Sequence, residues 1–131
     1  MFESADLKHE VAKAAYQREQ ALLRAALLDA QYDLFEGRHK AVVVLLSGVA
    51  TGGRGETAMK LSEWMDPRYL STLAFSAPSD EERERPYMWR YWRALPPKGR
   101  TGVFAGSWYS DPIRDRILGQ IDKGDLDQRM D

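Results

Sequence analysis

From Ser4 to about Glu36 the chain has no proline or glycine, and Leu22, Leu23, Ala26, Leu27, Ala30, Tyr32, Leu34 and Phe35 recur at helical spacing among charged residues. This predicts one long amphipathic helix, or two with a bend, ending at Gly37. Ala41-Val42-Val43-Val44-Leu45-Leu46 is a short continuous apolar run rich in β-branched residues, the pattern of a strand buried on both faces, and we expect it at the centre of a parallel sheet. The run leads into Gly48, Gly52, Gly53 and Gly55, after which a helix is expected from about Glu56 to Met65, stopped at Asp66-Pro67. A second strand is expected over Tyr69–Phe75. Ser79 and Glu82 have the spacing of a capping box, opening a helix that carries Trp89, Trp92 and Leu95 on one side and ends at Pro96-Pro97. A third strand, Thr101 to about Ala105, precedes a helix with Asp111 as N-cap and Pro112 at its first position, running to about Ile121. The polar stretch from Asp122 to Asp131 reads as a frayed end or the point where a longer chain was cut.

A helix followed by three strand-helix units predicts an α/β fold with a parallel sheet, right-handed crossovers and helices on both faces. The chain has 131 residues, enough for one domain at most. No apolar run approaches the roughly 20 residues of a membrane span, and the first residues lack the pattern of a secretory signal. With 19 Lys+Arg against 20 Asp+Glu, the net charge of -1 excludes a whole-molecule basic field and argues against general nucleic-acid binding. Any anion site is therefore local. Cysteine is absent, which removes thiol nucleophiles and Cys-based metal sites, and the two histidines, His9 and His39, lie far apart. A cytoplasmic address fits this composition.

Gly48-Val49-Ala50-Thr51-Gly52-Gly53-Arg54-Gly55-Glu56-Thr57 follows the spacing of a phosphate loop, with Arg54 at the lysine position and Gly55 at the hydroxyl position. Glycines let successive N–H groups turn toward an anion, and the helix N-terminus adds partial positive charge. Gly48, Gly53, Arg54, Gly55, Glu56 and Thr57 are the candidate phosphate-binding residues, beside the alternative of a tight turn with no ligand. Arg54 is longer and planar, suited to surface recognition of phosphate more than to a point-charge role inside the loop.

Four blocks appear in order: Gly48 to Gly55; Asp66-Pro67-Arg68; Glu84-Arg85-Pro86-Tyr87-Met88-Trp89-Arg90-Tyr91-Trp92-Arg93-Ala94-Leu95-Pro96-Pro97-Lys98-Gly99; and Phe104-Ala105-Gly106-Ser107-Trp108-Tyr109. Together they resemble the type-2 polyphosphate kinases over nearly the whole chain. The match is nearest to the first half of a member with two fused copies of the domain, because Gly55-Glu56-Thr57, Trp64 to Arg68 and the opening Phe2-Glu3-Ser4-Ala5 read like that half. The resemblance implies a P-loop kinase-like three-layer α/β/α fold, here truncated, with a helical segment over residues 1–37 and a partial kinase-like domain over 38–131. It implies phosphoryl transfer between inorganic polyphosphate and AMP or ADP, with Mg2+. Active members read Gly-x-Asp-x-x-Gly-Lys-Gly-Gly and Phe-Asp-Arg-Ser-Trp-Tyr, whereas this chain has Ala50, Arg54, Ala105 and Gly106 at the charged positions. No catalytic residue is therefore assigned, and magnesium is not expected to be held by this chain.

A P-loop kinase domain needs more strands than these, so the lid and final strands are expected beyond Asp131, and the chain reads as a truncated copy or, the favoured reading, a fragment of a longer protein with a second, catalytic domain. Arg90, Arg93, Lys98 and Arg100, interleaved with aromatics, are candidate polyphosphate contacts. The other reading places Trp89, Trp92 and Leu95 in the core and pairs some arginines with the acidic run at Asp80-Glu81-Glu82. Ser107 and Ser110 lack an activating histidine or acid. Three functions follow: a non-catalytic domain serving assembly or regulation, a competent kinase using Arg54, or a polyanion-binding module. Self-association is expected through an unpaired sheet edge.

Overall fold

The computed structural model describes residues 11–48 and 52–130. Its elements are α1 (Lys13–Gly37), β1 (Val42–Leu46), α2 (Arg54–Trp64), a 3-10 turn (Pro67–Tyr69), β2 (Leu70–Ala74), α3 (Asp80–Arg83), α4 (Trp89–Ala94), β3 (Thr101–Ala105), α5 (Ser110–Ile117) and α6 (Lys123–Met130). The expected N-terminal helix is one unbroken helix from Lys13; its first residues, and His9, lie outside the described residues. It ends where Arg38 turns into the left-handed region at φ 47° and donates its N–H to Leu34 O.

The three strands form one parallel sheet in the order β1-β3-β2. The expectation that Val42–Leu46 is central is corrected. β1 is an edge strand among the described residues, with Val42 exposed, and β3 holds the centre with Thr101, Gly102, Val103 and Phe104 all buried. The continuous apolar run of β1 suits a strand with more cover than these residues give it.

Alternation along the strands separates two faces. Val42, Val44 and Thr101 line a groove with Leu34 of α1 and with Leu61 and Met65 at the α2 end. On the other face Gly102 lies under the ring of Pro96, which comes within 3.2 Å of where a Cβ would stand, and Phe104 packs on Phe75 at 5.1 Å between ring centroids. Tyr91 of α4 covers Phe75 at 4.7 Å and is 2% exposed. Helices thus flank the sheet on both faces, the three-layer arrangement expected.

Four local expectations are corrected. The single helix after Ser79 is two pieces: the capping box is present, with Ser79 N–H donating to Glu82 Oε2 at 2.8 Å and Glu82 N–H to Ser79 Oγ at 3.3 Å, but α3 stops at Arg83. Pro86 cannot donate within a helix and disfavours helical geometry before it, so the chain restarts at Trp89. In that shorter helix Tyr91 faces the core while Trp92 is 59% exposed and Leu95 is exposed too, reversing the expected burial. α5 begins at Ser110 after Tyr109 and ends at Ile117, so neither the Asp111 cap nor the extension to Ile121 forms. The polar tail is not frayed: Lys123–Met130 is helical, opened by Asp122 and Asp125, whose carboxylates each accept the other's backbone N–H at 2.8 and 3.3 Å.

Candidate functional site

The glycine loop leaves the carboxyl end of β1, where open α/β sheets hold their ligands. Gly48 has φ 141° and Gly53 φ 76°, conformations that favour glycine, and Gly53 caps α2 without any side-chain cap. The first N–H groups of α2 therefore have no side-chain partner at the cap, and the helix adds its positive end. Nothing lies within 4 Å of a Cβ position at Gly55. Thr57 does not offer its hydroxyl outward; Oγ1 donates to Gly53 O at 2.9 Å, closing the first turn. Glu56 stands exposed in that turn. Arg54 makes no ion pair among the described residues and faces a cavity of about 420 Å³ shared with Ser47, Gly48, Ser110 and Arg114. Ala50 lies outside the described residues.

The turn after β3 borders the same rim. Gly106 has φ 92°, with a Cβ position 3.4 Å from Phe75 O, so the backbone there is fitted to glycine. Ser107 is buried; its N–H donates to Ser110 Oγ at 2.9 Å and its Oγ accepts from Tyr109 N–H at 3.3 Å. Two tyrosines brace the turn from the α4 segment: Tyr87 OH donates to Trp108 O at 2.7 Å and Tyr91 OH to Ser107 O at 3.4 Å. Burial pushes the Tyr87 hydroxyl well above its ordinary value, so it remains a donor. Nothing in the sequence pattern singled out these tyrosines as braces, because the partners are backbone carbonyls distant in sequence.

A third family block, Asp66-Pro67-Arg68, is a turn fastened to α1. Gln31, 2% exposed, donates Nε2–H to Asp66 O at 3.0 Å and accepts Asp66 N–H on Oε1 at 2.8 Å. The Asp66 carboxylate accepts from Arg68 Nη2 at 2.6 Å, from Arg68 N–H at 2.9 Å and from Tyr32 OH at 3.0 Å. The Arg68 side-chain bonds first, then its backbone N–H, hold this carboxyl well below the usual carboxylate range. Gln31 carried no signal in the sequence beyond a polar residue within an apolar stripe.

The four candidate cations do not form one row. Arg90 lies at the carboxyl end of the sheet, its Nη2 donating to Ser76 O at 2.9 Å. Arg93 stacks over the Trp89 ring at 4.6 Å. Lys98 and Arg100 lie at the opposite rim, where Gly99 N–H donates to Lys40 O at 2.8 Å and Arg100 O accepts from Val42 N–H. A divalent cation such as magnesium takes oxygen ligands in near-octahedral array. The end of β3 offers the methyl of Ala105, the Thr57 hydroxyl is engaged, and no group of three or more His, Asp and Glu gathers among the described residues. These residues do not fit the ion.

A glycine loop between a parallel strand and a helix, on a three-layer sheet, defines a P-loop kinase-like α/β domain. The family model for polyphosphate kinase 2 matches residues 10–131, and the chain belongs to that family. It is 48% identical over 131 residues to the polyphosphate:AMP phosphotransferase of Pseudomonas aeruginosa, and 36% identical over 105 residues to that of Acinetobacter johnsonii. All of this chain aligns with 26% of the first, and 77% of it with 22% of the second, so it spans about a quarter of their length. A crystal structure of a polyphosphate kinase 2 from Pseudomonas aeruginosa superposes with a TM-score of 0.90 at 48% identity, covering 98% of this chain and 28% of that one. One from Arthrobacter aurescens gives 0.82 at 32% identity, covering 92% and 44%.

Proposed function

We propose that this chain is a non-catalytic, first-half domain of a polyphosphate:AMP phosphotransferase, serving assembly or regulation of a second, catalytic domain that carries out the transfer. The observation that carries the reading is the end of β3. Ala105 brings a methyl and Gly106 a left-handed backbone to the two positions that the family resemblance matches to an aspartate and an arginine. Phosphoryl transfer depends on positioning and on neutralising developing negative charge, and these residues supply neither carboxylate nor cation. Magnesium, polyphosphate and AMP then belong to the partner domain. A cytoplasmic site of action is part of the same proposal; among the described residues no helix is long and apolar enough to cross a membrane.

A second reading, weak anion binding without turnover, is favoured by the start of α2, which has no side-chain cap, beside Arg54, which makes no ion pair among the described residues. The test compares this chain with the same chain fused to a catalytic half. AMP and polyphosphate yield ADP only with the second half present, and deleting the first half alters the stability or oligomeric state of the whole. ADP from this chain alone overturns the proposal.

A further inference from the structure

At the amino-terminal rim of the sheet, across the domain from the glycine loop, two short loops meet at Gly99. Its N–H donates to Lys40 O at 2.8 Å, and in the next pair Val42 N–H donates to Arg100 O at 3.1 Å. Gly99 has φ 83°, and the space where a Cβ would stand is closed by Arg38 Cγ and Phe35 O, both at 3.3 Å. Arg38, Lys40, Lys98 and Arg100 are thereby gathered around one glycine, all four exposed. Residues 38–41 and 95–100 contain no carboxylate, and none of the four cations makes an ion pair among the described residues. The carboxylates just before them are Asp33, which borders the same groove as Lys40, and Glu36 of α1. Four cations against these two leave a surplus of two positive charges, with His39 neutral, on a chain whose net charge is -1.

α4 brings aromatic surface to this rim. Leu95 closes the helix by donating its N–H to Trp92 O at 3.3 Å, and Pro96 lies against Gly102, the second residue of β3. Trp92 and Leu95, one turn apart, are 59% and 47% exposed. A large ring left in solvent beside unpaired cations is informative in a way that a single exposed leucine is not. Arg93, next in the chain, holds its guanidinium over the Trp89 ring at 4.6 Å, a flat cation adjoining Trp92. A chain of inorganic phosphate would engage the cations and leave Trp92 unused, whereas every base of a single strand offers a π face for stacking. We infer that the amino-terminal rim and the adjoining end of α4 bind single-stranded nucleic acid, with Arg38, Lys40, Lys98 and Arg100 on its phosphates and Trp92 under a base. The site is local, in keeping with the absence of a whole-molecule basic field, and it does not depend on whether the domain turns over.

The test titrates the full 131-residue chain into a labelled thymidine oligonucleotide of about 12 residues at low salt, read by anisotropy of the strand and by tryptophan fluorescence. An abasic phosphodiester strand of the same length, polyphosphate and polyglutamate serve as competitors. The oligonucleotide is expected to quench the fluorescence and to bind with a slope of log K against log salt of about -3, from the four cations at roughly 0.7 each. Trp92→Ala, at an exposed position, is expected to weaken binding about tenfold or more and to erase the preference over the abasic strand, while Trp92→Phe keeps most of both. Lys98→Ala is expected to reduce the slope by about 0.7 and to leave that preference intact. Displacement by the abasic strand or polyphosphate as readily as by unlabelled oligonucleotide shows cations acting without Trp92 and overturns the inference. Stronger displacement by polyglutamate assigns the face to an acidic protein partner and overturns it as well, as does absence of binding at low salt or an unchanged affinity in Trp92→Ala.

Discussion

Replacing Gln31 by alanine tests how α1 is held to the domain. The side chain is the one buried polar residue of α1, and both its amide atoms are spent on the backbone of Asp66, at 3.0 and 2.8 Å. Truncation leaves one N–H and one C=O without partners, each costing about 1–3 kcal/mol. Water entering the vacated space offsets part of this, so the expected loss is about 2–4 kcal/mol. With an m value of about 1.5 kcal/mol/M the urea midpoint falls by about 1–3 M, read from tryptophan fluorescence and far-ultraviolet circular dichroism together. Gln31→Glu sharpens the point. A carboxylate still accepts Asp66 N–H but faces Asp66 O with no proton, so it destabilises at neutral pH. Its folded-state pKa is therefore raised, and the penalty shrinks as pH falls from about 7 toward 5. An alanine variant within about 0.5 kcal/mol of wild type, or a glutamate variant with no such recovery, would show that Gln31 does not fasten α1 to the Asp66 turn.

Other outcomes follow from the same structure. The Asp66 carboxyl is depressed below its ordinary value of 3.8, so its contribution is present above that pH and lost as pH falls below it; the midpoint difference between wild type and Asp66→Asn should close below about pH 4. Gly99→Ala places a Cβ 3.3 Å from Phe35 O at φ 83°, and a loss of about 1–3 kcal/mol should appear as a lower Tm. The edge of β1, unpaired among the described residues, with Leu22, Leu23 and Ile117 exposed, predicts dimers or larger species in sedimentation; a clean monomer at high concentration contradicts this.

The strands were legible because short β-branched runs and a buried Thr101–Phe104 segment leave few alternatives, and the Ser79–Glu82 cap was legible because both partners lie within one turn. The centre of the sheet was not, since strand order depends on long-range pairing that periodicity does not encode. Pro86 broke a helix whose apolar spacing read as continuous, which moved Tyr91 inward and Trp92 outward. The place of the glycine loop could be read directly, since its glycines follow a β-branched apolar run and precede a helical stretch, and the structure has β1 before Gly48 and α2 starting after Gly53. The division of Arg90 from Lys98 and Arg100 could not, because α4, which carries Arg90 in its first turn, runs the chain back toward the other rim.

We propose that this domain has lost the chemistry of its family. Removing one well-placed stabiliser of transition-state charge costs about 2.7–4 kcal/mol, roughly a hundred- to thousandfold in rate, and on this proposal several are replaced, although such losses do not add simply. The direct measurement is a single-turnover assay of the chain with labelled polyphosphate, AMP and excess magnesium. No ADP is expected above the protein-free control. ADP formation by the wild-type chain, abolished by Arg54→Ala, would contradict it and give Arg54 the role of the missing lysine.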